Sequence, residues 1–145
     1  MYDTILFPTD GSDGTARVAE HAIHLARQEA ATLHVLHVVD TSVVPLDGHS
    51  RAIYEELEAQ GRGSVATICD RANEANVHAV DAVREGEPYR EILGYAEKND
   101  VDLVVLGTHG RSGVRRALLG SVAERVVRLS PVPVLTVRTT PLEHE

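Results

Sequence analysis

Short apolar runs alternate with stretches of helical spacing along the chain, and this alternation limits the fold more than any other feature. Thr4-Ile5-Leu6-Phe7 is an apolar run that ends at Pro8, as a buried strand would. After it, Ser12 or Asp13 is placed to cap a helix whose Val18, Ala22, Ile23, Leu25 and Ala26 form one stripe. Leu33 to Val39 reads as a second strand, with His34 and His37 interleaved, and residues 40–49 read as a loop. From Ser50 to Asn76 the spacing is helical, and Gly61 and Gly63 predict a kink or break in it. Val77 to Arg84 alternates as a third strand, and Pro88 suits the first residue of the next helix. Asp102 to Leu106 is a fourth strand that stops at Gly107. A helix over about 120–129 and a strand over about 133–138 complete the pattern.

Strands that alternate with helices require right-handed crossovers and a parallel sheet covered on both faces. The 145 residues are therefore expected to form a single doubly wound, three-layer α/β domain, Rossmann-like, with a five-stranded parallel sheet. A chain of this length buries roughly 68–70% of its unfolded surface, so the core needs no staple. Cys69 is the only cysteine, which excludes an intramolecular disulfide, and its apolar surroundings predict a packed, inert thiol. No apolar stretch is long enough for a membrane span, and the N-terminus lacks the pattern of a signal peptide, so a cytoplasmic location is expected. The net charge of -8 argues against nucleic acid and anionic membranes as partners.

In doubly wound sheets, ligands bind beyond the carboxyl ends of the strands, where the strand order reverses. Two loops qualify, Pro8 to Ser12 and the segment from Gly107 onward. The second reads Gly107-Thr108-His109-Gly110, then nine residues, then Gly120-Ser121. Closely spaced glycines leave backbone N–H groups uncovered, and such groups converge on anions. Ser121 would open the last helix, whose positive end favours a phosphate, and Arg111, Arg115 and Arg116 add positive charge. Asp10 directly follows a strand and is expected to serve the ligand, while His109 is open between a ligand contact and a structural hydrogen bond. His34 and His37 read as satisfied core or edge histidines and Asp40 as a loop-capping carboxylate. Ile53, Tyr54 and Leu57 fit either the core or a partner-facing surface.

The spacing Gly-x2-Gly-x9-Gly-Ser over residues 107–121 resembles the ATP-binding signature of the universal stress protein family. Further marks are Ile5 to Ser12, the strand end His37-Val38-Val39-Asp40, Gly86-x-Pro88 and the closing Ser130 to Leu135. The resemblance implies strand order 3-2-1-4-5 and an ATP site. It would place Pro8, Thr9 and Asp10 along the nucleoside, with Asp10 near the ribose or Mg-bound phosphates, and Val38 at the adenine. Gly107, Gly110, Arg111, Ser112 and Gly113 would follow the ribose and phosphates, and Gly120, Ser121 and Val122 would close around the phosphate tail. The resemblance also implies a homodimer through the last strand, Val132 to Val137, beside an unknown protein partner.

Other nucleotide chemistries fit less well. A P-loop hydrolase needs Gly-x4-Gly-Lys-Ser/Thr, and the chain's one lysine, Lys98, lies outside the loop. Enzymes of related fold that cleave ATP between its α- and β-phosphates carry Ser-Gly-Gly-x-Asp-Ser after the first strand. Asp10-Gly11-Ser12-Asp13-Gly14 does not match it. A phospho-receiver domain needs a lysine at the end of the last strand, where Arg138 stands. No residue pair declares itself as a hydrolytic apparatus, so at most slow ATP hydrolysis is expected. The alternatives are that slow enzyme, an α/β-cleaving enzyme, or a dimeric interaction protein without nucleotide.

Overall fold

A computed structural model describes residues 1–12, 14–41, 50–109 and 119–139. Five strands, β1 (Thr4–Thr9), β2 (Thr32–Asp40), β3 (Ala79–Gly86), β4 (Leu103–Gly107) and β5 (Val134–Val137), form one sheet. Its order is β3-β2-β1-β4-β5 and every pairing is parallel, as the sequence leads one to expect. Helices α1 (Thr15–Glu29), α2 (Ser50–Glu74), α3 (Pro88–Lys98) and α4 (Ser121–Leu129) alternate with the strands.

Alternate residues of the central strand serve opposite faces. Ile5 and Phe7 join Val18, Ala22, Val65, Ile68 and Ala72 from α1 and α2. Leu6 joins Ile92, Tyr95, Ala123 and Val126 from α3 and α4. Both faces are therefore dry, which is why β1 and β4 read as continuous apolar runs rather than as alternating ones.

Three helices end in the same way. Ala30, Asn76 and Asp100 adopt left-handed backbone, with φ of 54°, 63° and 52°. The next residue then returns its N–H five residues back: Ala31 to Ala26, Val77 to Ala72 and Val101 to Ala96, each at 2.9 Å. Ala31, Val77 and Val101 are all buried, the apolar contact that accompanies this cap. This explains why β3 begins at Ala79 and not at Val77. The apolar residue that resembles a strand start closes the helix before it.

Two further expectations are corrected. Helix α2 runs unbroken through Gly61 and Gly63. Gly61 falls on the stripe with Val65, Ile68 and Ala72, so it is a contact position and not a break. Helix α1 starts at Thr15 with Gly14 as its N-cap and no capping side chain. The Ser12 backbone N–H instead donates to Asp10 Oδ1 at 2.9 Å, and the Ser12 carbonyl accepts from Thr15 N–H at 3.0 Å. Asp13 lies outside the described residues.

Candidate functional site

Strand β1 has neighbours on both sides, β2 and β4, whose connections leave toward opposite faces of the sheet. A crevice must open beyond the carboxyl ends at that point. A cavity of about 530 Å³ lies there, within the roughly 300–1,000 Å³ usual for small-molecule sites. Pro8, Thr9 and Asp10 line it from the end of β1, Val38 from β2 and Gly107 from β4. His109 stands just beyond β4, and Gly120, Ser121 and Val122 line the cavity from the start of α4. Nine of the thirteen residues singled out from the sequence are thus brought together around one space. The other four, Gly110, Arg111, Ser112 and Gly113, lie outside the described residues.

Backbone and side chains at the β1 end hold one another. Thr9 Oγ1 lies 3.2 Å from Thr15 Oγ1 and accepts the Gly11 N–H at 3.2 Å. These bonds fix the turn from strand to helix and carry Asp10 with it. His37 donates from Nδ1 to the Thr9 carbonyl at 3.1 Å, tying β2 to the same turn. The satisfied histidine expected at position 37 is therefore found, and it also lines the cavity.

The β4 end is held by its own set of bonds. Thr108 donates its N–H to the Val137 carbonyl at 2.9 Å and accepts from Gly120 N–H at 2.7 Å. The second bond brings the start of α4 back to the strand end. Gly120 has extended backbone and caps α4 without a side-chain hydrogen bond. The first N–H groups of α4 and the positive end of its dipole therefore border the cavity, an arrangement that suits an anion. Thr139 also lines the cavity, and its side chain packs on both Gly14 and Gly107. A Cβ at Gly107 would run into Thr139 Cγ2, so glycine is needed there for close approach.

Leu57, Pro88 and Ile92 add an apolar wall from α2 and α3, and Asp40 lines the cavity at the end of β2. Sequence reasoning alone does not place these residues, or Thr15, His37 and Thr139, at a site. Leu57, open in the sequence between core and surface, faces the cavity, whereas Ile53 is exposed. Pro88 carries a signal, because Gly86-x-Pro88 belongs to the family marks. Thr139 carries none, since nothing local distinguishes a threonine that folds back over two glycines.

Outside the cavity, His34 Nδ1 lies 2.6 Å from the Tyr95 hydroxyl on the other face of the sheet. Among the described residues no group of three or more His, Cys, Asp or Glu side chains is arranged to hold a metal ion. Among the same residues no helix is long and apolar enough to cross a membrane.

Comparison with known proteins gives one consistent answer. The profile of the Universal stress protein family matches residues 1–138. Universal stress protein MJ0531 of Methanocaldococcus jannaschii is 40% identical over 141 residues, covering 95% of this chain and 83% of the relative. The solved structure of MJ0577 from the same organism superposes with a TM-score of 0.88 at 28% identity, covering 98% of this chain and 99% of that one. A universal stress protein solved in complex with cAMP superposes with a TM-score of 0.71 at 28% identity, covering 96% and 98%.

Proposed function

Because the chain belongs to the universal stress protein family, we propose that its cavity binds an adenine nucleotide, ATP in the first place, and that a partner reads the occupancy. The carrying observation is the joining of two unlike chemistries in one cavity. Val38, Leu57, Pro88 and Ile92 offer an apolar wall suited to a base. Gly107, Gly120 and Ser121 offer close backbone approach and a helix N-terminus suited to phosphate. The cAMP complex of a relative supports the same ligand class.

In this reading Pro8, Thr9 and Asp10 follow the nucleoside, and Gly110, Arg111, Ser112 and Gly113 extend the phosphate site from Gly107 and His109. Val122 closes the phosphate end beside Gly120 and Ser121. Mg²⁺ enters with the phosphates, whose charge it neutralises, as this ion usually does when a protein supplies only one or two carboxylates. Among the described residues, Asp10 and Asp40 are the carboxylates that line the cavity.

Occupancy is signalled through segment 108–119, which phosphate contacts would order. Tryptic cleavage at Arg111, Arg115 and Arg116 should then slow when ATP is present, and equal rates would sink the signalling half of the reading. The protein acts as a homodimer through Val132 to Val137. This segment lies at the sheet edge and carries the exposed Leu135.

Calorimetry with ATP and magnesium tests the binding half, alongside Gly110→Val and Ser121→Ala. Micromolar or tighter binding is expected, abolished by Gly110→Val and weakened about tenfold by Ser121→Ala, the effect of one hydrogen bond to a charged group. Absence of binding at millimolar ATP, in folded and nucleotide-free protein, would overturn it.

A further inference from the structure

Among the described residues one buried side-chain polar atom is left without a hydrogen-bond partner, and it belongs to the cavity wall. His109 Nε2 is buried and makes no hydrogen bond. Its other ring nitrogen is engaged, because Nδ1 lies 3.0 Å from Thr108 Oγ1. That hydroxyl already accepts the Thr139 N–H at 3.3 Å. When that hydroxyl gives its own hydrogen to the imidazole, Nδ1 is the acceptor. A neutral imidazole that accepts at Nδ1 carries its hydrogen on Nε2. In that ring form the buried Nε2–H is a donor with no acceptor, and buried donors of that kind are rare because they are destabilising.

We infer that Thr139 and Thr108 are positioning residues that fix His109 as an Nε2–H donor, and that an anionic oxygen of the bound nucleotide is the acceptor it lacks. The acceptor is a phosphate oxygen and not a ribose hydroxyl, because the bond from Gly120 N–H to the Thr108 carbonyl, 2.7 Å, sets His109 beside the start of α4. Thr139 has a second hold on the same place through its packing on Gly14 and Gly107. It follows β5, so the glycine signature is completed by a residue outside it. This inference rests on the adenine-nucleotide reading for the rest of the ligand, but the anion contact itself can be tested separately.

The experiment follows the His109 ring by NMR in the full chain carrying isotope-labelled histidine, at about pH 8 where an ordinary imidazole is neutral. The ligand-free protein should show the Nε2–H form. ADP and inorganic tripolyphosphate should each shift that nitrogen and its hydrogen, and adenosine should not. Thr108→Val should mix the two ring forms and weaken ADP about 10- to 100-fold with adenosine unchanged, as expected for losing one hydrogen bond to a charged group. Thr108→Ser should restore both. An Nδ1–H ring in the wild-type protein overturns the inference, as does a His109 signal indifferent to both phosphate compounds. If ATP binds wild type and His109→Asn equally, the inference falls and the nucleotide reading stands. If tripolyphosphate shifts His109 while ATP and adenosine fail to bind, the anion contact stands and the nucleotide reading falls.

Discussion

The imidazole of His37 lies directly against the backbone of Gly61, so close that a Cβ at position 61 would overlap the ring. Helix α2 presents bare backbone to a side chain of β2 there, and the same His37 anchors the Thr9 carbonyl at the cavity. Gly61→Ala should therefore destabilise the fold. Alanine gains about 1 kcal/mol of helix propensity, but overpacking costs about 1–3 kcal/mol, so a net loss is expected. Gly63 is the control, because nothing lies within 4 Å of the position a methyl group would take there. Gly63→Ala should stabilise by about 0.5–1 kcal/mol. Urea unfolding of both variants checks the pair, and equal effects at the two positions would contradict the contact.

His34 should make the protein acid-sensitive. Burial, and next the neighbouring His78, hold its pKa below the ordinary 6.5. The unfolded chain then takes up the proton at higher pH than the folded chain does. The contribution is complete above about pH 6.5 and is lost as the pH falls below it. Tyr95 and Arg84, the latter 5.4 Å from the centre of the Tyr95 ring, complete the surroundings. In His34→Gln, the stability difference between about pH 7.5 and about pH 5.5 should shrink, as read by denaturant midpoints.

Cys69 should resist alkylation in the native state. Burial, and then Asp81 and Asp70, push its thiol up to about 11 from an ordinary 9.0. Below that range thiolate is scarcer by about 100-fold, so iodoacetamide should react at least that much more slowly than with unfolded chain. Rapid native labelling would show that the residue is not packed as described.

Leu135→Asp should separate the proposed dimer. Leu135 is 41% exposed on the edge strand, and an unpaired carboxylate in a closed interface is strongly disfavoured. Light scattering should report half the wild-type mass with an unchanged far-ultraviolet circular dichroism spectrum. A wild-type chain that is already monomeric would refute the edge as an interface.

Much of the fold is legible because its signals are local. Pro8 ends an apolar run, Pro88 opens a helix, and Gly107 stops a strand, each through a backbone property of one residue. The start of β3 is not legible at Val77, because an apolar residue closing a helix and one opening a strand look alike in sequence. Gly61 and Gly63 show the same limit more sharply. Two glycines two positions apart carry the same propensity, yet one is a contact with His37 and the other faces open space.

The sequence by itself determined the alternation of elements, the parallel sheet and the two loops at its switch point, since these follow from hydrophobic period and backbone-breaking residues. It also marked Asp10, Gly107, Gly120 and Ser121, because glycine spacing and a helix start are written in consecutive residues. Only the tertiary structure decided that His37, Leu57, Ile92 and Thr139 share the cavity with them. Those residues come from strands and helices far apart in the chain. Their meeting depends on how closely α2 approaches β2 and on where the chain turns after β5, distances that packing sets and no local pattern encodes.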